Sequence, residues 1–249
     1  MLRFQDQIAI VTGGARGIGK GIASRLLEEG ATVVLWDILK APLDETVEEL
    51  LELGTISGKC INITEEREVK ASIQEVVATH GKVDILVNCA GIVGPTSCNI
   101  MDYELKDFQH ILNVNLTGAF LTTKYVIPPM LERQYGRILH ITSIAGKEGN
   151  PGMVGYASSK AGMIGLIKGT GKEFADQGIT INGIAPAVIA TPMNLETEKE
   201  MLDYMTAKIP MKRLGTVEEV ASLACWIVSK EASFNTGFVF DLSGGRATY

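Results

Sequence analysis

The chain has 249 residues, 46% of them hydrophobic, and a formal net charge of −6. This length supports one large α/β domain, residues 1–249, with a full core. Acidic and basic residues are interspersed without a Lys/Arg run, which argues against a nucleic-acid partner, and no apolar run approaches the ~20 residues of a membrane span. The four cysteines, Cys60, Cys89, Cys98 and Cys225, lack paired spacing, so free thiols in a reducing cytoplasm are expected. His80, His110 and His140 stand apart without metal-ligand spacing, so no metal is expected. His140 lies in an apolar run and reads as a core residue.

In chain order, Gln7–Thr12 is a short apolar strand that begins without a basic leader. A glycine turn follows, with Gly13, Arg16, Gly17, Ile18 and Gly19, and then a helix with Ile18, Ile22, Leu26 and Leu27 on one side. Strand, glycine turn, helix is the context of a nucleotide-binding loop, because the free N–H groups at the helix start can hold a pyrophosphate. The second strand, Ala31–Asp37, ends in an acid placed to accept hydrogen bonds from ribose hydroxyls. The charge of Asp37 opposes the extra phosphate of NADP, whereas Arg16 argues the other way. Asp37 weighs more, so NAD is the expected cofactor.

A helix over Leu43–Leu53, a strand over Ile56–Ile63 and a helix over Glu65–Thr79 come next, with Asn62 in reach of an adenine edge and Ile63 beside it. Val83–Asn88 is a fourth strand, and the small residues Ala90 and Gly91 after it let the chain pass closely under a cofactor. Tyr103–Asn115 and Leu116–Arg133 read as helices, the second broken or kinked at Pro128-Pro129. Asn115 sits where they meet; it either acts in the site or only satisfies backbone groups. A fifth strand (Gly136–Thr142), a long helix (Val154–Asp176) and a sixth strand (Ile179–Ala185) lead to a loop from Pro186 through Ile189 and Thr191 to Pro192. Asn194–Ala207 reads as a polar helix, either a lid or a packing element. Val217–Val228 is a helix and Gly237–Asp241 a last strand. The alternation predicts a doubly wound, mainly parallel Rossmann-type sheet with helices on both faces.

Ser143 closes the fifth strand, and Tyr156 and Lys160 lie four residues apart, one helical turn on one face. An ammonium beside a phenol favours the phenolate and makes it a general acid/base near neutral pH. A hydroxyl at the strand end is placed to bond the substrate oxygen.

Together, Thr12-Gly13-x-x-x-Gly17-x-Gly19, Asn88-Cys89-Ala90-Gly91, Asn115, Ser143, Tyr156-x-x-x-Lys160 and the Pro186–Thr191 loop resemble the short-chain dehydrogenase/reductase family over essentially the whole chain. Two positions depart from the usual pattern: Cys89 replaces an Asn, and Ala187 replaces a Gly. The resemblance implies that Tyr156 is the acid/base, that Lys160 binds the nicotinamide ribose and lowers the Tyr156 pKa, and that Ser143 holds the reacting oxygen. It also implies that Asn115 positions a relay water, that Ile189 and Thr191 contact the nicotinamide amide, and that the protein is a homotetramer or homodimer. Gly13, Arg16, Gly17, Ile18, Gly19, Asp37, Asn62, Ile63, Asn88, Ala90, Gly91, Tyr156, Lys160, Pro186, Ile189 and Thr191 form the expected cofactor site. The stretch Ile144–Pro151 and the ending from Ser243 are similar to bacterial 2-keto-3-deoxy-L-sugar-acid (L-fuconate type) dehydrogenases. They suggest Ser143, Lys147, Asn150, Tyr156 and Arg246 as substrate ligands, with Lys147 and Glu148 alternatively a solvated loop pair. Residues Gly244–Tyr249 are expected to be ordered, with Arg246 clamping a carboxylate in a neighbouring subunit's site, or else to fray.

The expected function is oxidation of a secondary alcohol of a small polar substrate, a sugar acid, by NAD. The alternatives are a 3-oxoacyl-thioester reductase and a non-catalytic NAD(H)-binding sensor or assembly protein.

Overall fold

The computed structural model describes residues 2–191 and 199–247. Seven strands form one sheet: β1 (Ile8–Thr12), β2 (Thr32–Asp37), β3 (Ile56–Cys60), β4 (Ile85–Asn88), β5 (Gly136–Ile141), β6 (Ile179–Pro186) and β7 (Val239–Leu242). Their order is β3-β2-β1-β4-β5-β6-β7, and every neighbouring pair is parallel. The order reverses between β1 and β4, which opens a crevice at the carboxyl ends of these strands.

Both faces of the sheet are covered, which is why the central strands are apolar throughout rather than alternating. Ala9, Val11, Val33 and Leu35 point to one side, onto α1 (Gly17–Glu28), α2 (Lys40–Leu50) and the helix Val217–Ile227. Ile8, Ile10, Val34 and Trp36 point to the other, onto α3 (Glu66–His80) and α5 (Gly118–Arg133). On that second side α7 (Val154–Glu173) adds Met163 and Ile167 against Ala185 and Val239.

Pro128 and Pro129 do not break their helix: α5 runs through both. Each proline forfeits a backbone hydrogen bond and crowds the preceding turn, at about 3 kcal/mol or more. Val126, Ile127 and Met130 around them are at most 6% exposed. Burying each gives roughly 1.5–3 kcal/mol, so packing offsets the prolines and keeps the helix whole. Between α4 (Leu105–Leu112) and α5 the chain makes a π turn, Asn113–Thr117, with Gly118 N–H reaching back to Asn113 O. β3 stops at Cys60, three residues short of the expected end, because its ladder with β2 ends at Asp37↔Cys60. β6 gains Pro186, paired with Leu242 at the sheet edge. Of the stretch expected to be helical from Asn194, residues 194–198 lie outside the described residues, and Lys199–Ala207 is a helix.

Candidate active site

The turn after β1 brings three parts of the chain within touching distance. Thr12 Oγ1 accepts from Cys89 N–H and Ala90 N–H at 3.2 Å each, which stitches the β1 turn to the β4 loop. Gly13 has φ +63°, and a Cβ there would lie 2.7 Å from Ala90 N, so only glycine fits. A Cβ on Gly19 would lie 2.2 Å from Gly13 O. Gly17, with φ +53°, opens α1, whose first turn is not capped by a side chain. Its N–H groups, including that of Ile18, are available to an anion. Arg16 is exposed at the N-cap, while the Ile18 side chain packs on the core.

Asp37 closes β2 beside this turn. Its carboxylate accepts from Ala15 N–H at 3.1 Å and Leu39 N–H at 3.0 Å, so its orientation is set by backbone. Two expected cofactor residues are committed elsewhere. Asn62 Oδ1 accepts from Thr64 N–H and the Thr64 hydroxyl, at 3.1 and 2.8 Å, and shapes the turn before α3. Asn88 is buried: its Oδ1 accepts from the Thr122 hydroxyl at 2.8 Å and its Nδ2 lies 3.3 Å from His140 Nδ1. It holds the core rather than lining the crevice. Ile63 is buried against Gly118, where a Cβ would meet its Cδ1 at 2.6 Å. His140 is a core residue, as expected: burial pushes its pKa down to about 3, so it stays neutral.

On the opposite wall, Ser143 follows β5 and its Oγ accepts from Ala145 N–H at 3.1 Å. Tyr156 and Lys160 lie in the first two turns of α7. The Ser143 hydroxyl stands beside the Tyr156 phenol and favours its ionised form, so strand end and helix meet as expected. Lys160 is 5% exposed, donates to Ile141 O at 2.8 Å, and holds Nζ 5.7 Å from the Tyr156 ring centroid. Burial pushes Lys160 down to about 8. The expected lowering of Tyr156 by Lys160 is corrected here. Burial raises the phenol above its ordinary value, and the Ser143 hydroxyl is what opposes the rise.

Gly91 lies between the two walls: a Cβ there would be 3.1 Å from Asn115 Oδ1 and 3.6 Å from Lys160 Nζ. Asn115 is fully buried. Its Oδ1 accepts from Ile92 N–H at 2.8 Å, and its Nδ2 donates to Ile92 O and Ser159 Oγ, both at 2.9 Å. Ser159 in turn donates to Tyr156 O at 2.8 Å. The Asn115 side chain therefore fastens the loop after β4 to the Tyr156 turn and is occupied in doing so. Single-turn π segments of this kind occur frequently at functional sites. The Pro186–Thr191 loop completes the enclosure. Ile189 is buried and bridges to Gly215, and Thr191 Cγ2 would sit 3.5 Å from a Cβ on Gly17, over the glycine turn.

Lys147 does not offer a free ammonium to the pocket. It lies in α6 (Ala145–Glu148), and Nζ donates to both oxygens of Asp241 at 3.0 and 3.1 Å. Nor is it half of a solvated pair with Glu148. Glu148 Oε2 accepts from Arg246 Nε and Nη2 at 3.0 and 2.7 Å, and Asn150 Oδ1 lies 3.4 Å from Nη2. Residues 243–247 are packed, with Ala247 8% exposed and its N–H on Ser243 Oγ. Arg246 thus pairs within its own chain; Tyr249 lies outside the described residues. Reading the sequence alone passed over Ser159 and Asp241 and gave Thr12, part of the glycine-turn motif, no role of its own. Ser159 is one turn from Tyr156 and Thr12 precedes the glycine turn, so spacing was a usable signal for both; nothing local marks Asp241.

The residues suit a dinucleotide. Gly13 and Gly19 form a cradle that a Cβ would fill, an uncapped helix start faces it, and an oriented carboxylate stands at the ribose end. Among the described residues no group of three or more His, Cys, Asp or Glu side chains could hold a metal ion, and no helix is long and apolar enough to cross a membrane.

A family model described as enoyl-(acyl carrier protein) reductase matches residues 13–247. The chain is 42% identical over 247 residues to a 2-dehydro-3-deoxy-L-rhamnonate dehydrogenase (NAD(+)) of Sphingomonas sp. (strain SKA58), covering 99% of this chain and 98% of that one. It is 38% identical over 245 residues to a 3-oxoacyl-(acyl-carrier-protein) reductase of Thermotoga maritima, covering 98% and 99%. The solved structure of NAD+-bound xylitol dehydrogenase superposes with a TM-score of 0.93 at 29% identity, over 98% of this chain and 100% of that one. With the glycine turn, the Asn115 clamp and the Ser143, Tyr156 and Lys160 cluster in place, the chain belongs to the short-chain dehydrogenase/reductase family.

Proposed function

We propose that this enzyme is an NAD-dependent dehydrogenase that oxidises a secondary alcohol of a small polar substrate, a sugar acid. The observation that carries the reading is the meeting of Ser143, Tyr156 and Lys160 at the carboxyl end of β5, across Gly91 from the turn that Asp37 orients. Bound in that crevice, NAD supplies the hydride acceptor. Gly13, Gly17, Ile18 and Gly19 hold its pyrophosphate, Asp37 the adenosine ribose, Lys160 the nicotinamide ribose, and Pro186, Ile189 and Thr191 the carboxamide end. Ser143 donates to the substrate oxygen and orients it on Tyr156. Tyr156, as the phenolate, takes the hydroxyl proton as the alkoxide forms and is left as the phenol, with Lys160 buried against the same ring. Asn115 holds the floor of this site in register.

The polar wall of Asn150 and Arg246 suits the carboxylate of a sugar acid. Arg246 presents a planar guanidinium whose bonds to Glu148 and Asn150 use Nε and Nη2. The relative from Sphingomonas acts on a compound of this class, which supports the assignment. Reduction of 3-oxoacyl thioesters is the competing reading, carried by relatives at 38% identity. A fixed carboxylate at residue 37 opposes the 2′-phosphate of NADP, and NAD-linked sugar-acid oxidation stands ahead of it. A non-catalytic sensor would not need the intact Ser143, Tyr156 and Lys160 cluster. We place the enzyme in the cytoplasm as a homotetramer or homodimer; Phe238, on the β7 edge, and Phe234 are exposed and suit a covered surface.

The test is turnover of purified protein with NAD or NADP against sugar acids, polyols and 3-hydroxyacyl thioesters. NAD-linked oxidation of a sugar acid, with KM rising in Arg246→Ala, is the expected result. Preference for NADP and a thioester would overturn it.

A further inference from the structure

We propose that Asp241, acting through Lys147, is a positioning residue for the Ser143 hydroxyl. The proposal rests on the reading of Ser143 and Tyr156 given above. Ser143 stands two residues before a helix of only four residues, α6, whose N-cap is Ile144. Ile144 and Ala145 bury its start, and side chains at its far end fasten the rest. Two consecutive residues do this. Lys147 reaches both oxygens of Asp241 on β7, with side chains 11% and 24% exposed, and Glu148 takes the Arg246 guanidinium.

α6 also has no room to shift independently of the acid/base. Gly146 packs on α7 so closely that a Cβ would lie 2.7 Å from the Lys160 carbonyl carbon. Ser143 Oγ is tied to α6 through Ala145 N–H. Asp241 itself is fixed in the β6–β7 ladder opposite Ala185, and the next residue, Leu242, accepts from Ala187 N–H at 3.0 Å. One strand end therefore sets both the Ser143 turn and the start of the Pro186–Thr191 loop. A screened, partly buried ion pair at this point holds geometry, and an error of 1 Å in a reacting group costs on the order of 10²-fold.

The test compares Asp241→Asn, Lys147→Met, Lys147→Arg and Tyr156→Phe with the parent, reading kcat, KM for NAD and the pH dependence of alcohol oxidation. Asp241→Asn and Lys147→Met should each lower kcat about tenfold and leave KM for NAD within about twofold. Each should also move the Tyr156 limb of the profile to higher pH, because the Ser143 hydroxyl is what favours the phenolate. Lys160 is the other titrating group against the phenol; it belongs to α7 and its limb should stay in place. Lys147→Arg keeps the ion pair and should keep the parental profile. Parental kcat and pH profile in both Asp241→Asn and Lys147→Met would overturn the proposal, as would a Lys147→Arg variant as impaired as Lys147→Met. Retained turnover in Tyr156→Phe would instead sink the reading beneath it, whatever the other variants do.

Discussion

The two walls of the crevice are built by different means. The wall around Thr12, Gly13 and Asp37 is held by backbone: Thr12 Oγ1 takes two amides, Asp37 takes two more, and glycines bring main chains into contact. The wall around Ser143 is held by side chains from residues far away in the chain, Lys147 to Asp241 across 94 residues and Glu148 to Arg246 across 98. The geometry built on main-chain contacts is the part suited to a dinucleotide. Side-chain-built geometry can change one residue at a time, and that is where specificity for a substrate can be tuned without disturbing the cofactor.

If the division is real, substitutions on one wall should leave the other wall's kinetics alone. Tyr156→Phe should have the largest effect, a loss of roughly 10²–10⁴-fold in kcat, with NAD affinity by titration near parental. A comparable loss of NAD affinity would show that the walls are not separable.

Lys160 sits between the walls, and its burial gives the next effect. Its folded value of about 8 lies below the ordinary 10.5, so between those values the unfolded chain binds the extra proton. Stability therefore rises with pH across that window, and the cost of burying the ammonium, roughly 3 kcal/mol, is fully present below pH ~8. Lys160→Met should thus match or exceed the parent in urea stability at pH 7 while losing activity. Its advantage should shrink between pH ~8 and ~10.5. A difference that does not change with pH would break the account.

The smallest effect is expected at the cofactor wall. Asp37→Ser removes a charge of fixed orientation and should shift the NAD:NADP ratio of kcat/KM toward NADP by tenfold or more, on the order of 1–2 kcal/mol. kcat with NAD should hold. An unchanged ratio would mean that another group sets the preference.

This contrast also explains how much was legible in the sequence. The glycine turn, Asp37 and the Tyr156–Lys160 pair are local patterns whose geometry follows from a strand, a turn or one helical turn, and the structure brings them together as spacing suggested. The sheet was legible for the same reason, because alternating strands and helices with short links leave few topologies. Asn88 misled because a polar residue at a strand end looks like a ligand, and only the packing shows Thr122 and His140 around it. Lys147 misled because a lysine beside a catalytic serine looks free until Asp241 arrives from β7. Pro128 and Pro129 do not break α5, because local propensity is outweighed by burial that only the tertiary structure supplies.

The latch on α6 has a consequence for biosynthesis. The glycine turn and Asp37 are built by β1, β2 and the loop after β4, so this half of the crevice is encoded early. Ser143, Tyr156 and Lys160 all leave the ribosome before residue 161, but Asp241 and Arg246 that fasten the Ser143 turn emerge some 80 residues later. At 5–20 residues per second the nascent chain spends on the order of ten seconds with its acid/base present and its hydroxyl unfastened. A chain stalled in that interval is expected to hold its glycine turn and Asp37 and yet to turn over poorly, so full activity waits until the final strand docks on the sheet.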